Sequence, residues 1–451
     1  MKYSDIAIIG ASASGLSAAL TIKRNNPSLS VTLFRKVSKT PVPCGIPYIY
    51  GTLKRVEKDI IPDSHFTSLG IDFLISEVTK IDQEKKVIFY DNNNQLKYQK
   101  LLMATGSIPF IPPIEGVNLE NVYAIDKNPK NLTVIEDKLK NASNIVVIGG
   151  GFIGVEMSEQ IATLKGKEAV VTIVEMLPHC LMSAMEEEFC IAAESELKKL
   201  GINILTKTQV MKLDGKDKVE KVILANNDWI RADLVIIGVG AAPNTELAEK
   251  CGIPFDKRNG ILVNKYMHTG LDNVYAAGDC VQKFSFITGK PSGIRLASVA
   301  AYEGIIAGNN MLGNKLENKG AVGAFSTKIG DIALGSAGLT QDACEREGIE
   351  YILGEFEGPD KHPATLPETF KNMKAMLLFR KDNGQIIGGH IKGGDTTGEM
   401  INIISTAIQA KLTATDLYVM QVATHPLLTG SPIAHHINRA AGDAYFKMKR
   451  L

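Results

Sequence analysis

Cysteine, tryptophan and net charge are what this 451-residue sequence has least of: six Cys, one Trp, and 50 Lys+Arg against 49 Asp+Glu. The cysteines, at 44, 180, 190, 251, 280 and 344, are too sparse and irregular for a disulfide framework and fit reduced intracellular thiols. Any reactive one must therefore be distinguished by its surroundings. The balanced charge gives no sign of a nucleic-acid-binding surface. No window approaches the ~18 consecutive apolar residues of a membrane-spanning helix. The first apolar run, Ile6 to Ile9, stops at Gly10 without the profile of a signal peptide, so a cytoplasmic protein with no membrane partner is expected. Low-complexity tracts and short repeats are also missing. With 45% hydrophobic and 22% charged residues, collagen, coiled coil and gross disorder are excluded. At about 150 residues per domain, the length predicts two to four domains.

What is present begins with a pattern that occurs twice. Asp5 to Gly10 is a short apolar run entering Gly10-Ala-Ser-Ala-Ser-Gly15, followed by the helix-forming Leu16 to Leu20. Asn144 to Gly149 leads in the same way into Gly149-Gly-Gly-Phe-Ile-Gly154 and a helical stretch, Val155 to Leu164. Both read as strand, tight turn and helix, the opening of a dinucleotide-binding βαβ unit. The second copy meets the full template. Gly149 makes the turn, Gly151 lets backbone approach a pyrophosphate, and Gly154 brings helix onto strand. Its next strand, Val170 to Val174, ends in Glu175, 21 residues beyond Gly154, where a carboxylate binds both ribose hydroxyls and repels a 2′-phosphate. NADH is therefore expected over NADPH. In the first copy Ser12 replaces the middle glycine, and the strand Ser30 to Phe34 runs into Arg35 where an acid is expected, which removes the usual ribose contact.

Leu101 to Ser107, with Thr105 and Gly106, and Asp233 to Gly240 are apolar strands ending in small residues before proline-containing loops. Thr269 to Asp279 is another strand, ending in Gly-Asp and followed by the helical Leu296 to Met311. These five motifs, in this order along the whole chain, resemble the pyridine nucleotide-disulfide oxidoreductase family. The resemblance implies an α/β protein with two Rossmann-like dinucleotide-binding domains, one for FAD and one for NADH, and an α+β C-terminal dimerisation domain. It assigns residues 1–112 and 243–318 to a discontinuous FAD domain, 113–242 to the NADH domain and 322–451 to dimerisation. FAD would be held by Gly10, Ser12, Gly15, Thr105, Gly106 and Asp279, the last through the ribitol chain. On the NADH side stand Gly149, Gly151, Phe152, Gly154, Glu156, Glu175 and Gly240. Phe152 would gate the nicotinamide pocket, and Glu156 would face the flavin ring. In the C-terminal part, Lys374–Arg380 and Ile386–Gly394 read as strands, and Met400, Ile403, Ile404, Ala407 and Ile408 as one face of a helix.

Thr40-Pro-Val-Pro-Cys44-Gly-Ile-Pro-Tyr48 surrounds one cysteine with glycine and proline. A loop-to-helix junction there would offer unpaired N–H groups and lower the thiol pKa, making Cys44 the candidate nucleophile. The segment resembles the Cys-Gly-x-Pro-Tyr element of the family's single-cysteine branch, which contains NADH oxidases, NADH peroxidases and coenzyme A disulfide, persulfide and polysulfide reductases. Val42 and Ile46 lie two residues away, and Thr40 and Tyr48 four away, so Cys44 has no local disulfide partner. It must cycle through a mixed disulfide, a persulfide or a sulfenic acid.

Val422-Ala-Thr-His425-Pro426 resembles the His-Pro element of the two-cysteine reductases, in which the histidine crosses the dimer interface as acid/base. His362, in Asp360-Lys-His-Pro363, is a second histidine expected near that opening. Ala13 stands where NADH peroxidases carry a histidine, which weakens the peroxidase reading. Cys180 and Cys190, ten residues apart on either side of a Met-containing helical stretch, fit no zinc motif, and no metal site is expected. The expectation is a homodimeric, FAD-dependent NADH oxidoreductase that reduces a low-molecular-weight disulfide, persulfide or polysulfide through Cys44, with His425 as proton donor. The rival enzyme is an NADH oxidase reducing oxygen. A flavin- and NADH-binding redox sensor is the alternative of another class, against which Cys44 and His425 argue.

Overall fold

The computed structural model describes residues 1–450. Its first sheet is built around Lys2–Ile9, flanked by Val31–Arg35 and Ile71–Ile75 on one side and by Asn94–Met103 on the other. Val274–Ala276 returns from far along the chain to pair in parallel with Asn94–Met103. The central strands are apolar almost throughout because helices cover the sheet. Two of these, Ala13–Asn25 and Ala297–Met311, pack closely on each other. Gly304 permits the approach, since a Cβ there would overlap the Ser14 carbonyl.

The second sheet is parallel throughout, in the order Asn203–Leu205, Val170–Val174, Asn144–Ile148, Leu234–Ile237, Val122–Ala124. Beside it lies an antiparallel ribbon of Val210–Asp214, Lys221–Leu224 and Trp229–Arg231. The chain passes between the two sheets through Ser107–Pro109 and Ala241–Pro243, which pair antiparallel with each other. The C-terminal sheet is antiparallel, in the order Ala324–Ile329, Ile332–Gly338, Ile386–Gly393, Met373–Arg380, Tyr351–Gly358. The helices Thr397–Gln409 and His436–Met448 pack against it. The fold is thus α/β, with two dinucleotide-binding sheets and an α+β C-terminal part.

The expected face of Thr397–Gln409 packs on the C-terminal core: Ile404, Ala407 and Ile408 are buried, Met400 and Ile403 lie partly buried against them, and Ile401 joins them. Two local expectations need correction. The stretch between Cys180 and Cys190 is a series of turns, and the helix begins only at Glu187. Thr269 to Asp279 contributes only the three-residue strand Val274–Ala276, the preceding residues forming a turn in which the Thr269 hydroxyl donates to the Val274 carbonyl at 2.9 Å. Among the described residues, no helix is long and apolar enough to cross a membrane.

Candidate active site

The two glycine-rich turns have the same geometry. Gly10 (φ +117°) and Gly149 (φ +103°) occupy backbone conformations that side chains rarely adopt. A Cβ on Gly15 would overlap the Gly10 carbonyl, and one on Gly154 the Gly149 carbonyl. Glycine at those positions is what lets each helix start directly against its own turn. Ser12 and Gly151 are the residues just before the helices Ala13–Asn25 and Phe152–Lys165. Beside Gly151 there is open space. Its backbone therefore faces the cavity, as close approach of a pyrophosphate requires.

One cavity of about 1230 Å³ is lined from both turns, by Ser12, Gly149 and Gly151, and by Gly106, Gly240, Phe152, Glu156, Glu175, Asp279 and Cys44. Gly10, Gly15, Thr105 and Gly154 stand behind this wall and shape it. Thr105 donates its hydroxyl to the Asn244 carbonyl at 2.7 Å, tying the strand end before Gly106 to the second crossing of the chain. Asp279 is held through Oδ2, which accepts from the Ser107 hydroxyl at 2.9 Å and lies 3.5 Å from Lys127 Nζ; its Oδ1 is buried without a partner. A free acceptor beside a cavity fits the hydroxyls of a ribitol chain. The preceding Gly278 is gripped by a fully buried ion pair. Glu303 Oε2 accepts from the Gly278 amide at 2.9 Å and from Lys283 Nζ at 2.6 Å, and Lys283 also donates to the Gly278 carbonyl. Lys127, Lys283 and Glu303 were not legible as site residues, since no sequence spacing connects them to Asp279.

The ends of the second strands differ. Glu175 accepts from the Gly150 amide at 2.5 Å and from the Leu177 amide at 2.7 Å, so its carboxylate is fixed beside the turn. Arg35 is buried, donates to both oxygens of Asp63 at 2.6 and 2.5 Å and to the Ser38 carbonyl at 2.6 Å, and lies over the Phe73 ring.

Cys44 lies in a single 3₁₀ turn, Pro43–Gly45, followed by a π-helical turn, Ile49–Leu53. The segment is clamped to the second module. Gly51 abuts Gln160, whose Oε1 accepts from the Thr52 amide at 2.9 Å and the Thr52 hydroxyl at 2.8 Å. Ile46, Ile49 and Tyr50 join the core beneath the helix Phe152–Lys165. The Cys44 sulfur is exposed because it faces the open cavity, yet the walls crowd it closely. Burial pushes its thiol above the usual cysteine range, and the carboxyls of Glu156, Asp279 and Asp59 push the same way, while Lys127 pulls it down. The expected lowering of this thiol pKa is therefore corrected: a three-residue turn supplies little dipole, and desolvation and neighbouring acids outweigh it.

Glu156 is itself raised by burial to about 7, against the Thr327 hydroxyl that donates to it at 2.8 Å. Phe152 stacks on Phe325, with ring centroids 5.1 Å apart and planes within 6°. Thr327 and Phe325 both come from the first strand of the C-terminal sheet, so the third module reaches the cavity as well. His425 does not line the cavity of its own chain. It is exposed, and the Leu427 amide donates to its Nδ1 at 3.3 Å. His362 is likewise absent from the cavity wall. Cys180 and Cys190 are buried, their thiols pushed by burial to about 12, as inert core thiols would be.

Two dinucleotide-type turns and a sheet module converging on one cavity define a two-nucleotide oxidoreductase. The chain belongs to the pyridine nucleotide-disulphide oxidoreductase family, whose model matches residues 4–304, with its dimerisation-domain model matching 325–433. It is an enzyme. It is 32% identical to an NAD(P)H coenzyme A polysulfide/persulfide reductase of Pyrococcus horikoshii over 93% of this chain and 94% of the relative. It is also 32% identical to an NADH oxidase of Methanocaldococcus jannaschii over 98% of each. An NAD-dependent persulfide reductase from A. fulgidus superimposes with a TM-score of 0.91 at 29% identity, covering 99% of this chain and 84% of that one.

Proposed function

We propose that the protein is an FAD-dependent NADH oxidoreductase that reduces a low-molecular-weight disulfide, persulfide or polysulfide at Cys44. The observation that carries this reading is that Cys44, alone among the six cysteines, opens onto the cavity lined by both glycine-rich turns. The names of the sulfur-reducing relatives support it. FAD is held by the first module, residues 1–112 and 243–318, through the Gly10–Gly15 turn, Thr105, Gly106 and Asp279. NADH is held by residues 113–242, through the Gly149–Gly154 turn, Gly240 and Glu175, with Phe152 as the movable wall and Glu156 beside the flavin.

FAD held by these residues would supply two-electron transfer between nicotinamide and sulfur. The residues of this chain do the rest. The Cys44 thiolate attacks the outer sulfur of the acceptor, one S–S bond breaks as another forms, and the departing thiolate takes a proton. Cleavage of the Cys44 adduct takes two electrons and two protons, restoring the Cys44 thiol and releasing the captured sulfur species as a thiol or as hydrogen sulfide. The resemblance of residues 422–426 to the His-Pro element of the two-cysteine reductases makes the partner's His425 the proton donor; in its own chain the residue is exposed and outside the cavity. Residues 322–451 form a homodimer interface. Exposed Val419, Leu427, Leu428 and Ile433 in one short stretch support that assignment, because a patch of this kind is normally covered. A homodimer acting on small molecules in the cytoplasm fits these features.

The test is anaerobic NADH turnover with polysulfide or coenzyme A disulfide, against oxygen alone. Sulfur-dependent turnover that vanishes in Cys44→Ser is expected. The second reading, an NADH oxidase, is favoured by the name of the M. jannaschii relative. It takes over where oxygen outcompetes every sulfur acceptor and Cys44→Ser only switches the product from water to peroxide.

A further inference from the structure

Behind the Cys44 loop lies a carboxyl that the proposed reaction does not use. Asp59 is 4% exposed, and its Oδ2 is buried with no hydrogen-bond partner. It closes the short turn Val56–Asp59, whose continuation runs antiparallel to the segment leading into Cys44. The Val42 amide donates to the Asp59 carbonyl at 2.7 Å, the Ile61 amide donates to the Thr40 carbonyl at 2.9 Å, and Pro41 pairs with Ile60. This pairing drives the Asp59 side chain under the turn. A Cβ on Gly45, the residue after the cysteine, would overlap Asp59 Oδ1.

Burying a carboxyl with an unpartnered oxygen is costly, and a neutral side chain of similar size would pack there without that cost. Packing alone therefore gives no reason for an acid at this position. Its surroundings supply one. The groups acting on the Cys44 sulfur come from four elements: Glu156 from the helix Phe152–Lys165, Lys127 from the loop after Val122–Ala124, Asp279 from the loop after Val274–Ala276, and Asp59 from beneath. Tyr48, on the cysteine segment itself, lies in the same field. Asp59 is set against the backbone of the residue next to the sulfur.

Resting on the reading that Cys44 is the redox sulfur, we propose that Asp59 is a positioning residue of that site, wedging the Gly45 turn that presents the thiol and placing a buried carboxylate beneath it. Burial raises the Asp59 carboxyl to about 6, with the Val42 amide pulling the other way. The group is therefore charged across the range in which the thiol titrates. Its charge acts on the Cys44 thiol in the same direction as burial and the carboxyls of Glu156 and Asp279.

The test is the rate of Cys44 alkylation by iodoacetamide against pH in anaerobic, NADH-reduced holoenzyme, with Cys44→Ser subtracting reaction at the other cysteines. Asp59→Asn keeps the shape and removes the charge. Its midpoint is expected to fall below that of the unaltered enzyme, with the rate at the alkaline plateau unchanged. A midpoint equal to that of the unaltered enzyme overturns the proposal, because a merely structural role would change flavin retention or plateau rate without moving the midpoint. Should Asp59→Asn lose its flavin, Asp59→Ser is read by the same criterion. Failure of the underlying reading shows separately, as sulfur-dependent turnover that survives Cys44→Ser.

Discussion

The turns Gly10–Gly15 and Gly149–Gly154 have the same backbone logic and opposite chemistry at the end of the strand that follows. In the second module Glu175 turns to the backbone amides of Gly150 and Leu177 and stands on the cavity wall. In the first, Arg35 is folded away into protein, paired with Asp63 and laid on Phe73. A nucleotide that comes and goes needs its discriminating carboxylate exposed to it. In a module for a resident cofactor the same position can serve the fold, provided other groups hold the ligand. Here the Asp279 Oδ1 is left without a partner at the cavity wall, and Lys283 and Glu303 fix the backbone of the neighbouring Gly278.

That contrast can be broken most severely at the glycines that both modules share. Gly15→Ala and Gly154→Ala each force a methyl into a carbonyl of the preceding turn, and a cost of about 2–4 kcal/mol is expected in thermal or urea unfolding. Gly15→Ala should also yield protein without bound flavin, whereas Gly154→Ala should keep it and lose NADH binding by titration. Gly151→Ala, with open space beside it, should unfold like the unaltered protein.

Arg35→Ala comes next. It strands Asp63, which is partly solvated, and removes a packed guanidinium, so about 2 kcal/mol of stability is expected to go, with no change in NADH affinity. Loss of NADH binding in this variant would mean that the two modules are not separable.

Glu156 links the modules to pH. Its carboxyl is raised to about 7 by burial, so the folded protein binds the proton more tightly than the unfolded chain does. Stability from this group is full below the ordinary glutamate range and is lost as pH rises from there to about 7. Glu156→Gln removes the penalty, and its unfolding free energy should exceed that of the unaltered protein by about 1–3 kcal/mol at pH 8 and match it at pH 4. Equal differences at both pH values would contradict burial as the cause.

The smallest effect is expected at Glu175. Glu175→Ala should narrow the preference for NADH over NADPH by about tenfold in kcat/KM, and unaltered enzyme that uses both equally would remove the role given to this residue.

The glycine turns, their strands and helices, and the cavity residues Cys44, Phe152, Glu156 and Asp279 were all legible because their signals are local or arrive in a fixed order. What the sequence did not disclose lies across the fold. Gln160 clamps Thr52, Asp63 receives Arg35, and Lys127 reaches Asp279, pairings of residues 28 to 152 positions apart. The direction of the Cys44 thiol shift failed for the same reason: a helix start can be read from proline and glycine, but Glu156, Asp279 and Asp59 reach the sulfur only in three dimensions.

The central claim is that the nucleotide modules and the sulfur perform separable halves of one reaction, and anaerobic stopped-flow on Cys44→Ser tests it most directly. Reduction of bound flavin by NADH should proceed at the rate of the unaltered enzyme, while reoxidation by polysulfide or coenzyme A disulfide should fall by at least about a thousandfold. Reoxidation at the unaltered rate would remove Cys44 from the reaction and contradict the account.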